Sequence, residues 1–333
     1  MPQRFVVIGG YRTSVVMTAD TPIDPFRMND PGEIFGLYGP ASEAWRLNRE
    51  AMLLLGAGPR ALLLQVAHPL VAEGVDQHSG FRVNPWARLQ GTLRSYLAIV
   101  YGGGPAARAE IARLNRLHRG ISGPVRDAAA GAALGVARYA ARDPELSLWV
   151  HATLIDSTIV AYDAWLEPLT RARRAAFYDE TRAVGRAFGI PDRLLPADYD
   201  DLEAYVARML GPDGPVHPSA TSRSLASAIL KPPLAPLVHG SGLPEPVVAA
   251  LGGLLDAVPA RAHNWTMWPA LALLPPGVRD EMGIPWDARR RLVADWLGTG
   301  FRAWRPLVPR SWRQMPQAVA ADRRVAATGI LAP

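Results

Sequence analysis

Prolines set directly behind a capping or small residue recur along the chain, and they constrain its fold more than any other feature. Asn84-Pro85 and Asp143-Pro144 each join a residue whose side-chain oxygen caps a helix N-terminus to a proline at the first helical position. There the missing N–H is not needed and the fixed φ already suits a helix. Pro59 and Pro105 follow the glycine-rich stops Gly56-Ala57-Gly58 and Gly102-Gly103-Gly104, and read as further starts. Behind these signals the apolar residues keep helical spacing. Examples are Leu62, Leu63, Val66 and Leu70, then Leu89, Leu93, Tyr96 and Val100, then Leu148, His151 and Ile155. Helices are expected from Ser42 to about Leu55, from Pro59 through His68, from Pro85 to the glycines at 102, from Pro105 past His118, and over Pro144–Trp165. Further ones are expected near 170–188, 197–209, 219–230, 244–255 and 287–297. No stretch shows sustained two-residue alternation. The prediction is an all-α fold, with an irregular arm over 1–40, a single multi-helix domain over 41–325 and a tail over 326–333.

With 49% hydrophobic and 20% charged residues, 333 positions can bury a large core. The absence of cysteine excludes disulfides, thiolate metal sites, iron–sulfur clusters and a cysteine nucleophile. The net charge of +6 is almost wholly arginine, with Lys231 the only lysine, and the arginines are dispersed among acids; nucleic acid is therefore not the expected partner. The first twenty residues lack an adequate apolar region and a small-residue cleavage site, and apolar segments such as 51–71 are interrupted by glycine, proline, arginine or histidine. A cytoplasmic protein is expected, with peripheral membrane contact left open. Phe5-Val6-Val7-Ile8-Gly9-Gly10 imitates the start of a dinucleotide fold without its third glycine or following helix, and neither a nucleophile elbow nor a P-loop occurs.

Chemistry gathers between 68 and 92, where His68, Glu73, His78, Arg88 and Thr92 fall close together. Arg88 and Thr92 lie four apart on one helix face. They suit a polar patch in a pocket, or equally an arginine packed by its stem beside a threonine bonded to its own i−4 carbonyl. His118 shares a face with Ile111 and Leu114, and His151 sits among apolar neighbours; each is either a core histidine or a ligand. Positions 68, 73 and 78 scatter around a helix and disfavour a chelating metal face, whereas haem needs one neutral imidazole and an apolar slot. Without a C-x-x-C-H motif any haem would be b-type. The segment from Trp286 to Trp312 is rich in tryptophan and arginine but broken by Gly298, Gly300 and two prolines. Core packing beneath a basic surface is the expectation there, and a membrane-surface helix the alternative.

These pieces occur in a telling order: HPLVAEGVDQHSGF at 68–81, NPWARLQGT at 84–92, Leu117-His118-Arg119, the stretch from Arg142-Asp143-Pro144 to Trp149-Val150-His151, and WPALALLPPGVRDEMG at 268–283. The set resembles the MpaB-like oxygenases, the family of the mycophenolic-acid prenyl-chain-cleaving enzyme and of the catalytic domain of rubber oxygenases (latex-clearing proteins), over roughly 35–325. The resemblance implies globin-like helix packing around one b-type haem, O2 as co-substrate, and oxidation of an apolar, isoprenoid-like or other alkene-containing substrate such as a polyprenoid. His118 matches the proximal iron ligand, His151 a histidine needed for a sound haem site, and Arg88 and Thr92 the pair near the haem. Glu73 is nearest to a family base, one position off in spacing. Gly91 stands where rubber oxygenases have a lysine as distal ligand, which leaves the sixth site open, water-bound or capped by His68. The competing expectations are a haem-binding sensor or carrier without turnover, and a helical scaffold without cofactor.

Overall fold

The computed structural model describes residues 7–8, 11–12, 35–79, 85–230, 245–256 and 267–327. Among them the chain is overwhelmingly helical, as the cap-and-proline pattern requires. In order come α1 (Glu43–Leu47), α2 (Ala51–Ala67), α3 (Pro69–His78), α4 (Pro85–Tyr101), α5 (Gly103–Arg119), α6 (Ala128–Leu134), α7 (Pro144–Trp165) and α8 (Arg171–Ala187). Then follow α9 (Tyr199–Met209), α10 (Ala220–Ile229), α11 (Glu245–Asp256), α12 (Trp268–Ala272), α13 (Pro276–Glu281), α14 (Ala288–Trp304), α15 (Arg310–Arg313) and α16 (Pro316–Ala326). Among the described residues no single helix is long and apolar enough to cross a membrane.

The molecule is organised on α7, which α2 packs along most closely. Asp143 caps α7 through the Glu145 N–H, Pro144 opens it, and Leu148, Trp149, Ala152, Ile155, Ile159, Tyr162 and Trp165 are all buried. Trp149 Nε1 donates to the Leu64 carbonyl at 3.1 Å, and Arg60 on α2 donates to Asp156 Oδ2 at 2.6 Å, Ser157 Oγ at 2.8 Å and, through Nε, the Leu273 carbonyl at 2.7 Å. That arginine pins α2, α7 and the end of α12 together.

The break expected at Gly56-Ala57-Gly58 and the start at Pro59 are not found; α2 runs through both. An interior proline costs a helix about 3 kcal/mol. Leu53, Ala61, Leu63 and Leu64 are almost wholly buried, and each buried leucine returns about 1.5–3 kcal/mol. Gly56 is a notch, since a Cβ there would lie 2.2 Å from the Trp165 ring. The helix expected over 42–55 is correspondingly divided: α1 closes at Leu47, and α2 begins at Ala51.

Among the described residues two strand pairs join the helices. Val7–Ile8 (β1) pairs with Tyr11–Arg12 (β2), and Ser122–Pro124 (β3) pairs antiparallel with Arg138–Ala140 (β4), with Gly123 opposite Tyr139. Three-residue strands are too short to carry an alternation signal. Most of the arm expected over 1–40, and much of the proline-rich stretch 232–276, lie outside the described residues; Leu37 and Tyr38 are already part of the core.

At the C-terminal end α14 continues through Gly298 and Gly300 to Trp304. Ala294 and Gly298 are its buried positions, a Cβ on Gly298 would touch the Trp165 ring at 3.4 Å, and the Phe301 ring lies 5.3 Å from that of Trp165. Small residues thus take the inner face. Core packing of the tryptophans is overturned for Trp296 and Trp304, which are exposed, while Trp286 is covered by Arg279 at 4.6 Å; the Trp312 side chain lies outside the described residues.

Candidate functional site

On α4 the four-residue spacing brings Arg88 Nη1 to Thr92 Oγ1 at 2.8 Å, and that hydroxyl donates to the Arg88 carbonyl at 3.0 Å. Both residues line a cavity of about 500 Å3, its mouth included. Its other walls are apolar: Leu62 and Val66 of α2, Val75 of α3, and Leu225 and Ile229 of α10, with Gln65 as the remaining polar contribution. Gln65 is held by a 3.2 Å bond from its Nε2 to Thr153 Oγ1 on α7. Arg88 is exposed as a residue, yet burial of its guanidinium lowers the pKa from 12.5 without discharging it. The result is an apolar pocket with a cation and a hydroxyl in its wall, the mix of lining groups typical of ligand sites.

His118 projects from the last turn of α5, half-buried, with its ring centroid 6.4 Å from that of Phe188. Burial, and then the nearby Arg88 cation, push its pKa below 6.5, so the imidazole is neutral at neutral pH. His151 approaches the same end of α8 from α7: a Cβ on Gly185, one turn before Phe188, would lie 3.2 Å from His151 Nε2. That Nε2 is buried without a hydrogen-bond partner, and desolvation lowers the pKa of His151 to about 4. Asn115 Nδ2 donates to the Ala187 carbonyl at 2.9 Å and fixes α5 against this helix end. Arg88, Thr92, His118 and His151 therefore belong to one neighbourhood spanning α4, α5, α7 and α8, although neither histidine is among the cavity-lining residues.

His68 and Glu73 are placed elsewhere. His68 is the corner between α2 and α3, which meet at 105°; its Nδ1 accepts from the Leu70 N–H at 3.2 Å. Burial lowers its pKa to about 4, against an opposing pull from Asp143. Glu73 is almost wholly buried. Its Oε2 accepts from Gln77 Nε2 at 2.7 Å, and its Oε1 from Thr221 Oγ1 and the Asp127 N–H, both at 3.3 Å. The carboxylate thus joins α3 to α10 and to the start of α6. Gly91 has open space where a Cβ would stand. Among the described residues, no group of three or more His, Asp or Glu side chains is placed to hold a metal ion.

Sequence reading missed Gln65, Gly185, Phe188 and Asn115. Gly185, an isolated glycine inside a helical pattern, was the one with a signal, since such a residue needs a packing reason.

Comparison with known proteins adds the family. An uncharacterized protein of Mycobacterium tuberculosis is 25% identical over 273 residues, 79% of this chain and 93% of the relative. An uncharacterized protein of Mycobacterium bovis is similar to the same extent. No solved structure matches. Residues 45–308, which include the whole α4–α8 neighbourhood, match the family described as "ER-bound oxygenase mpaB/B'/Rubber oxygenase, catalytic domain", and the chain belongs to that family.

Proposed function

We propose that this oxygenase-family chain is a haem-dependent oxygenase acting on an apolar, alkene-containing substrate of isoprenoid type. The observation that carries the reading is the Arg88–Thr92 pair in the wall of an otherwise apolar cavity, with neutral His118 inside the field of Arg88. The residues fit a b-type haem in kind. His118 offers an imidazole whose ring nitrogen is available for iron, and His151 brings a buried Nε2 with no protein partner to the same helix end. A haem held there would supply O2 binding and activation.

The chain's own residues define the rest. Leu62, Val66, Leu225 and Ile229 exclude water and receive the hydrocarbon chain. Arg88 places a cationic donor where negative charge develops on oxygen, and the Thr92 hydroxyl, which accepts from Arg88 Nη1 and donates to the Arg88 carbonyl, holds that guanidinium in place. Glu73, engaged by three donors away from the cavity, is assigned to the scaffold in this reading. Oxidative cleavage of a C=C bond by one O2 gives two carbonyl products and leaves no electrons to be supplied.

The test is spectroscopic first. Protein made with ample haem precursor is expected to show a Soret band, and His118→Ala to lose it while keeping its helical circular dichroism. Protein without haem, or an unchanged spectrum in the variant, overturns the assignment. O2 uptake with short polyprenoids then separates an oxygenase from a carrier.

A further inference from the structure

We infer that the outer face of α14, with the turn that follows it, docks the protein on an anionic lipid surface. The inner face of α14 is committed: Ala294 is buried, Gly298 and Phe301 pack toward Trp165 of α7, and Arg302 Nη2 donates to the carbonyls of Asp163 and Ala164 at 2.7 and 2.9 Å. With rotation fixed in this way, Leu292 and Trp296, one turn apart, point outward at 70% and 72% exposure, and Trp304 and Leu307 follow at 67% and 74%. Four large apolar side chains facing water within sixteen residues are a concentration beyond the single exposed apolar residues of an ordinary surface.

Charge selects the occupant. Residues 287–313 carry seven arginines against Asp287 and Asp295. Asp287 is bonded to Arg290, and Arg305 and Arg313 share buried Glu50. Arg289, Arg291 and Arg310 have no acidic partner among the described residues, and Arg302 meets only carbonyls. A partner with an apolar interior, a wet polar boundary and negative charge at that boundary satisfies all these groups together. Tryptophan rings sit at the headgroup level of a bilayer, and arginines pair with anionic headgroups just outside it. A second copy of the chain would set like charges against each other.

The experiment uses the full chain and needs no cofactor. It is sedimented with vesicles of phosphatidylcholine alone and of phosphatidylcholine mixed with phosphatidylglycerol, at low and high salt. Wild type should bind the mixed vesicles preferentially and release with salt. Trp296→Ser with Trp304→Ser should weaken binding to the mixed vesicles by about tenfold or more, the change that ~1.4 kcal/mol produces. Arg289→Glu with Arg291→Glu should abolish the preference for phosphatidylglycerol. All four positions are exposed, and unchanged circular dichroism verifies the fold. Absence of vesicle binding by wild type, or binding indifferent to both double variants, overturns the inference. So does light scattering that shows a dimer broken by the tryptophan changes without any vesicle binding.

Discussion

Two clusters of buried polar groups differ in one respect. Around α3, Glu73 has three donors on its carboxylate and His68 accepts the Leu70 N–H, so their polar atoms are used in holding helices together. Around α8, His151 Nε2 has no partner, and His118 is kept neutral beside a cation. A buried polar atom left unsatisfied costs about 1–3 kcal/mol, which a fold carries only where something else recovers it. The contrast separates scaffold from site better than the density of polar residues in the sequence does. It holds between these two clusters and not across the molecule: the Tyr139 hydroxyl near Glu73, Glu50 Oε2 and several arginine Nε atoms are also buried without a partner.

The comparison breaks first at His118. On the proposed reading His118→Ala removes nearly all bound haem, read from the Soret absorbance per folded chain, whereas His68→Ala retains it; equal loss in both variants would erase the distinction. Next is Glu73→Ala, which strands three donors and should lower stability by about 3 kcal/mol in urea unfolding. Normal haem content in the surviving folded fraction is expected, and a stable variant lacking only activity would return Glu73 to the chemistry. Gly185→Ala places a Cβ 3.2 Å from His151 Nε2 and 3.0 Å from Leu195 Cδ2, so overpacking should cost about 1–3 kcal/mol and alter the Soret position.

A finer test uses pH. His68 and His151 have pKa values near 4 in the folded chain against an ordinary 6.5. Between those values the unfolded chain binds more protons, so stability rises with pH across the window and is lost as pH falls from about 6.5 toward 4. Urea midpoints measured through that interval should fall less steeply in His151→Phe, and an identical slope would mean that His151 is charged in the fold. The smallest structural effect belongs to Thr92→Val, which removes only the partly exposed hydroxyl that holds Arg88 in the cavity wall. Thermal stability should stay within about 0.5 kcal/mol of wild type, while O2 uptake with a polyprenoid falls at least about tenfold.

Most of the helices were legible because their ends are written locally. Asp143, Thr170, Ser219 and Asp287 each cap the helix their side-chain chemistry announces. The spacing of Arg88 and Thr92 was legible for the same reason. What was not legible depended on partners distant in sequence. Gly56 reads as a stop until Trp165 is set against it, and the tail tryptophans read as core until Gly298 and Phe301 claim the inner face of α14.

The sequence by itself therefore determined the helical class, the caps, the arginine-rich charge and the ordered motifs through which the family is recognised, since each depends on neighbours within a turn or two. Tertiary structure alone decided that Glu73 and His68 are satisfied while His151 is not, that Arg88 acts on His118, and that Trp296 faces outward. Satisfaction, desolvation and exposure are properties of what packs against a side chain from elsewhere in the chain, and no local pattern encodes them.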